Sequence, residues 1–460
     1  MKTQFKILCI TGCFFLLCMP NVLSQDRYSL HDCLEFALKN NRNLEKQKFD
    51  KEKAAEVRKE VLGALMPQIN GSAGLNDNLK KAVFVMPNFI NNMLPPQAQD
   101  PDAPKYMTIQ MGTTFSANMG VALNQQLLNF SLFNTLEVAK TAEKMAVLGA
   151  ESTEEDVINQ TATLFYGIQA TEYAILQMGK TIDMVTGMVK IMEINYANGL
   201  VKKIDVDRLK VNQVNLMTQK YAIQNVAEVQ KNLLKLQMGY QVTELLEVEP
   251  INLSCFEEKV KNCDDAPFSL QAQTAYQLLM EKLNMAKLQK KSAIYENLPV
   301  LSLMLNYQYN GVSDEFFTGP TNYWYPTSMI GLSLKVPIFG GFSRKAKIQG
   351  NMIEVLKTQV DAASLQQSLS MAYLNARMKL EDTRRTIVLQ RDNQALAEEV
   401  LKVAEHNYSL GISSMSDILN ASQSLVQAQL SYTNALNDYM KAYIELKKAS
   451  GNIRDLMNGQ

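Results

Sequence analysis

Two aspartates, Asp205 and Asp417, hold equivalent places in two copies of one stretch. Paired carboxylates are a kit for general acid–base work, or part of one for holding a hard cation. Their surroundings point elsewhere. The first copy begins Glu193-Ile194-Asn195-Tyr196-Ala197-Asn198-Gly199-Leu200 and ends at Gly239; the second begins Glu405-His406-Asn407-Tyr408-Ser409-Leu410-Gly411-Ile412 and ends at Gly451. The offset is 212 residues without a gap. Each copy reads as helix, tight turn, helix, with the glycine supplying the positive φ that ends the first helix. Asp205 and Asp417 then fall at the start of the next helix, where a carboxylate meets unpaired N–H groups and the positive end of the dipole. Capping is the first role expected of both, and display of charge the second.

The other reactive residue types assemble no site. His31 and His406 are the only histidines and lie far apart. No phosphate loop, nucleophile elbow or metal-ligand spacing appears, so neither an enzyme nor a bound cofactor or metal is expected. Basic and acidic residues balance at 46 each, with no basic patch carrying interleaved aromatics, so nucleic acid is not an expected partner. Residues 1–24 read as a secretory signal: Lys2 and Lys6, then an apolar run from Ile7 to Met19, then Val22 and Ser24 as the small residues before cleavage. A lipobox-like Ile10-Thr11-Gly12-Cys13 ranks second, because the apolar run before it is very short. Cys33 sits on an apolar helix face. Cys255 and Cys263 are close enough to bridge in an oxidising compartment, and two separate thiols are the open alternative.

The elements that would position the repeated turns are long. A helix is expected from Ser29 to Leu65, and another, uninterrupted by proline, from about Ser131 to Asn198. The second would be on the order of 100 Å long. The helix after Gly411 carries a heptad seam. Its a positions are Ile418, Leu425, Tyr432, Tyr439 and Leu446; its d positions are Ala421, Ala428, Ala435, Ala442 and Ala449. Alanine at every d lets a neighbouring backbone come close. Positions c and g are polar throughout, so this helix has neighbours on both flanks and one wet face.

Between the helices lie four alternating stretches: Gln68 to Asn76, Thr114 to Asn124, Leu301 to Asn310 and Ile330 to Ile338. Their length and dyad pattern are those of outer-membrane strands. Their polar faces carry Asn, Ser, Thr and Gln but almost no charge. Tyr307, Tyr309, Trp324 and Tyr325 gather at one end as an interfacial girdle would. Residues 77–111, with five prolines, read as a long irregular loop. Four strands cannot close a barrel, and an open edge cannot sit in lipid, so the chain must oligomerise; two copies would give eight strands and three would give twelve. The expected organisation is a signal over 1–24, a first repeat over 25–240, a connector over 241–267, a second repeat over 268–451 and a short tail over 452–460.

These features together resemble the TolC family of outer-membrane efflux ducts over nearly all of the chain after the signal. The resemblance rests on Ser29-Leu30…Cys33-Leu34…Ala37-Leu38…Asn40-Asn41…Leu44, Leu298-Pro299 before a strand, and Val336-Pro337-Ile338-Phe339-Gly340-Gly341. It rests above all on Asn195-Tyr196-x-x-Gly199-Leu200-Val201…Asp205-Val206 and Asn407-Tyr408-x-x-Gly411…Ser416-Asp417-Ile418-Leu419. It implies a mainly α protein with a membrane β-barrel. A homotrimer would join its long coiled-coil hairpins into an α-barrel continuous with a 12-stranded β-barrel, four strands from each protomer. The location implied is the outer membrane of a Gram-negative bacterium, with outer-membrane lipid around the strands and the helices reaching into the periplasm. Asp417, Asn420 and Asp205 would line the pore entrance. The turns Gly199, Leu200, Val201 and Gly411, Ile412, Ser413 would receive a periplasmic adaptor (membrane fusion) protein, which couples the duct to an inner-membrane transporter. The family pattern has a basic residue where Ser413 stands, a second acid where Asn420 stands and a proline where Gln126 stands. Lys202 and Lys203 are then the bases left to face Asp417. A periplasmic coiled-coil adaptor or scaffold is the alternative, and the uncharged dyad strands speak against it.

Overall fold

The computed structural model describes residues 27–100, 102–253, 256, 267–316 and 322–458; the expected signal, Cys255 and Cys263 lie outside the described residues. The elements run α1 (Leu30–Asn40), α2 (Arg42–Ala64), β1 (Gln68–Asp77), β2 (Ala82–Pro87), α3 (Phe89–Met93), β3 (Tyr106–Met111), β4 (Phe115–Leu128) and α4 (Phe130–Ala197). Then come α5 (Lys203–Met238), α6 (Thr274–Tyr295), β5 (Val300–Ser313), β6 (Tyr323–Lys335), α7 (Ser343–Ser409) and α8 (Met415–Ser450). Among the described residues no helix is long and apolar enough to cross a membrane. The chain divides into two compact units, one from residues 1–49, 147–278 and 362–460, the other from 50–146 and 279–361.

The first unit is helical. Ser29 starts α1 as expected: its hydroxyl accepts from the Asp32 N–H at 3.2 Å, and Asp32 accepts from the Ser29 N–H at 3.0 Å. The single helix expected from Ser29 to Leu65 is instead broken at Asn41, whose ψ of 123° leaves the helical region. The Asn41 Oδ1 accepts from the N–H groups of Asn43 and Leu44, and its Nδ2 donates to the Gln237 carbonyl at 2.6 Å. One buried amide thus ends α1, starts α2 and ties both to α5.

The heptad seam of α8 is the spine of this unit. Nine of its ten a and d residues are buried, Ala449 being half-buried, while Asn420, Ser424, Gln427 and Asn434 on the other face are exposed. Leu425 and Ile418 join Met192, Leu209 and Leu401 in one cluster; Leu436, Tyr439 and Ala442 join Ala170, Ala376 and Leu380 in another. Burying each such leucine contributes about 1.5–3 kcal/mol. Cys33 packs fully buried beside Phe165 and Leu234, and burial pushes its thiol up to about 12, as a packing residue requires. The tail after Gly451 is an ordered turn: Ile453 and Leu456 are buried against Leu34, Ile158 and Ile444, and the His31 Nδ1–H donates to the Met457 carbonyl at 2.7 Å.

The second unit carries a four-stranded antiparallel sheet in the order β1-β4-β5-β6. Its register aligns the apolar residues of all four strands on one face. One row is Ile69, Leu123, Leu305 and Ile330. Aspartate and lysine appear in these strands only at their ends, Asp77 in β1 and Lys335 in β6. The register corrects one member of the aromatic group. Tyr307, Tyr309 and Trp324 share the apolar face, with the Tyr309 and Trp324 rings stacked at 5.7 Å, but Tyr325 pairs with Asn310 on the polar face. The segment 77–111 is not irregular. β2 and β3 form a hairpin of their own, Ala82 opposite Met111 and Pro87 opposite Tyr106. Gln126 lies at a register shift between β4 and β5, next to the end of the strand.

Candidate functional site

The two repeated turns fold alike. In the first, Gly199 takes φ 75°, its N–H donates to the Tyr196 carbonyl at 2.9 Å, and the Leu200 N–H donates to Asn195 at 2.8 Å. In the second, Gly411 takes φ 74°, its N–H donates to Tyr408 at 3.0 Å, and the Ile412 N–H donates to Asn407 at 2.9 Å. Both use a left-handed glycine to satisfy carbonyls at a helix end, which a side chain at that φ would resist.

The starts of the next helices differ. Ser414 caps α8: its hydroxyl accepts from the Asp417 N–H at 3.3 Å, and Asp417 accepts from both the N–H and the hydroxyl of Ser414 at 2.8 Å. These bonds to Ser414 hold the Asp417 carboxyl below the usual aspartate range. The same place before α5 is Lys202, which offers no side-chain cap. Asp205 is therefore a first-turn charge on the dipole and not half of a capping box, a correction to the equal roles expected of the two aspartates. The Lys202 side chain has no oxygen to accept an N–H, and aligning the two copies exposes that difference. Within one chain the Asp417 carboxylate is engaged through Oδ2 by Ser414.

The two tips pack side by side. Val206 and Leu209 from α5, Met192 from α4, Leu401 from α7, and Met415 and Ile418 from α8 share one buried cluster. Tyr408 sits near enough to Asp205 that the carboxylate adds to burial in raising its phenol. Between the tips lies a cleft of about 560 Å³, lined in part by Leu200, Val201, Gly411 and Ser413. Leu200 and Ile412 stand 73% exposed at the turns, apolar side chains that no part of the same chain covers. Asn420 follows Asp417 by one turn on the exposed face of α8. Among the described residues no group of His, Cys, Asp or Glu could hold a metal ion. The structure thus brings together the expected tip residues of both turns. It leaves the strand aromatics in the other unit.

Residues 271–452 match the family model of the outer membrane efflux protein. The chain is 26% identical over 125 residues to the outer membrane efflux protein BepC of Brucella suis, covering 27% of each chain. It is 25% identical over 177 residues to the outer membrane protein TolC of Vibrio cholerae, covering 35% of this chain and 36% of that one. The matches thus span only about a quarter to a third of those relatives' lengths. The fold likeness reaches further. The CmeC outer membrane channel of Campylobacter jejuni superposes with a TM-score of 0.73 at 18% identity, over 92% of this chain and 85% of the other. These likenesses agree in kind: residues 271–452 are similar to the outer membrane efflux protein family, two outer-membrane proteins match in part, and over nine-tenths of its length the chain has the fold of a solved outer-membrane channel.

Proposed function

We propose that three copies of this chain form an outer-membrane duct that passes small molecules from a periplasmic pump complex to the exterior. The observation that carries it is the β1-β4-β5-β6 sheet. One face is apolar across all four strands and charged only at Asp77, the last residue of β1, with Ile69 66% and Ile330 71% exposed. β1 and β6 are left as unpaired edges. In water such a face invites aggregation, and in lipid such edges must be paired. Closing β6 of one copy on β1 of the next satisfies both. Eight strands would enclose only side chains, whereas twelve leave an aqueous lumen, so a duct requires three copies.

In this reading residues 25–240 and 268–451 are two structural repeats joined by 241–267, and each supplies one helical hairpin to an α-barrel in the periplasm. The exposed apolar turns at Leu200 and Ile412 receive a periplasmic adaptor, which links the duct to an inner-membrane transporter. The chain is a conduit and not a catalyst. Asp417 is the charge at the entrance, one per protomer, and Asn420 in place of a second acid leaves the ring at half the charge the family pattern would give.

Planar-bilayer conductance tests this. The wild type is expected to form cation-selective channels, only weakly blocked by divalent and trivalent cations, because like charges brought together attract counter-ions. Asp417→Asn should shift the reversal potential toward zero in a salt gradient. A protein that never conducts would overturn the duct. An unchanged reversal potential would remove Asp417 from the entrance and leave it as a helix cap.

A further inference from the structure

The two tips treat one repeated residue differently. Glu193 and Glu405 are the same position of the two copies. Glu193 is met by Lys210, carboxylate to Nζ at 2.6 Å. The place of Lys210 in the second copy is taken by Ser422, which is buried and accepts from the Asn212 amide at 3.4 Å. The cation that does act on Glu405 is Lys402, one turn back, and its Nζ pairs with Glu398 at 3.2 Å. Glu405 is left with an Oε1 that is shut from solvent and has no hydrogen-bond partner. Burial accordingly pushes its carboxyl above the ordinary glutamate range. A buried acceptor without a donor is costly and needs a reason.

Among the described residues Glu405 is also the single charged one lining the cleft of about 560 Å³ between the tips. The rest of the wall is mainly apolar and soft, with Met188, Met192, Met415, Leu209 and Tyr408 among its members. The volume falls in the range of small-molecule sites, which pair a mostly apolar wall with few polar groups. Thioethers adapt to irregular and aromatic shapes, and a phenol ring face attracts a cation.

We propose that this cleft is a binding site for a small organic monocation, an ammonium carried on an aromatic or alkyl body. The ammonium N–H groups donate to the Glu405 carboxylate and supply the missing partner. The body lies among the methionines and Leu209. A hard divalent cation does not match a wall that offers one carboxylate and thioethers, since such ions take six or more oxygen ligands. An anion is repelled. The site is built by the two hairpins of one protomer, so it does not need the three-copy assembly, although its rim of Leu200, Val201, Gly411 and Ser413 is shared with the turns proposed to receive the adaptor.

Isothermal titration of the full mature protein in detergent tests this, with 1-naphthylmethylamine and its neutral analogue 1-naphthylmethanol as probes. The amine is expected to bind wild type roughly 10- to 100-fold more tightly than the alcohol, the factor a charge-assisted hydrogen bond carries. Glu405→Gln keeps the shape and removes the charge, and should erase that difference. Glu193→Gln, on the paired and solvated glutamate of the other tip, should preserve it. Equal affinities for amine and alcohol, or no binding, would overturn the site. So would a preference for the amine that survives Glu405→Gln, which would mean partition into the micelle only.

Discussion

Ile330→Arg should abolish assembly into the outer membrane, while Asn306→Arg should be tolerated. Ile330 stands in a row with Ile69, Leu123 and Leu305 across all four strands, on the apolar face, far along the strands from its one charge, Asp77 at the end of β1. If that face meets lipid, an arginine at mid-depth costs about 2–4 kcal/mol in each copy. Each copy would carry that burden at once, against marginal overall stability. Asn306 pairs with Ala122 and Met329 on the opposite face, which the proposed duct would turn to water. The readout is the amount of each variant in the detergent-requiring outer-membrane fraction. Equal tolerance of both substitutions, or equal loss, would reject the assignment of the faces.

The second large effect is on stability, and it separates two glycines with the same backbone. Gly199 has φ 75° and Gly239 has φ 72°. Alanine at either must take the left-handed conformation, at about 1–2 kcal/mol. Around Gly199 nothing lies within 4 Å of an added Cβ, so Gly199→Ala should cost little more than that. At Gly239 the Cβ would overlap the carbonyl of Asn40, backbone that cannot rotate aside. Overpacking of this kind adds about 1–3 kcal/mol. It also falls at the junction where Asn41 ties α1 and α2 to Gln237. Gly239→Ala should therefore lower the midpoint of thermal unfolding, followed by far-UV circular dichroism, clearly more than Gly199→Ala does. Equal shifts would mean that the close approach of Asn40 is not a constraint.

Local pattern made much of this fold legible. The α8 seam could be read because alanine recurs every seventh residue, and the burial of Ile418, Leu425, Tyr432 and Tyr439 follows from it. The four sheet strands alternate with few exceptions, Ala122 and Met329 on the polar face and Ser328 on the apolar one among them, so their faces needed only a parity count. The same count separates Trp324 from Tyr325: stepping by twos from Ile330 reaches the first and passes the second. The break at Asn41 had a weaker signal, the pair Asn40-Asn41 before Arg42, because an asparagine cap competes with a helical pattern that continues on both sides. The β2–β3 hairpin was hidden for a different reason. Its strands pair across an intervening segment rich in proline, and Val83-Phe84-Val85 is a continuous apolar run with no alternation to read. At the tips the turns could be read from glycine spacing. The unequal fates of Glu193 and Glu405 depend on which neighbour reaches them, Lys210 in one copy and Ser422 in the other. That contrast emerges only when the copies are set against each other and the packing is known.

The claim that organises the rest is that β1 and β6 are edges waiting for a neighbour. Native mass spectrometry of the mature protein, extracted from membranes in mild detergent, counts the copies directly. The account predicts a complex of three chains that persists until the detergent is stripped or the protein is heated. A monomer that remains folded and inserted in lipid, or a stable complex of two, would contradict it, because neither could surround an aqueous passage with paired strands.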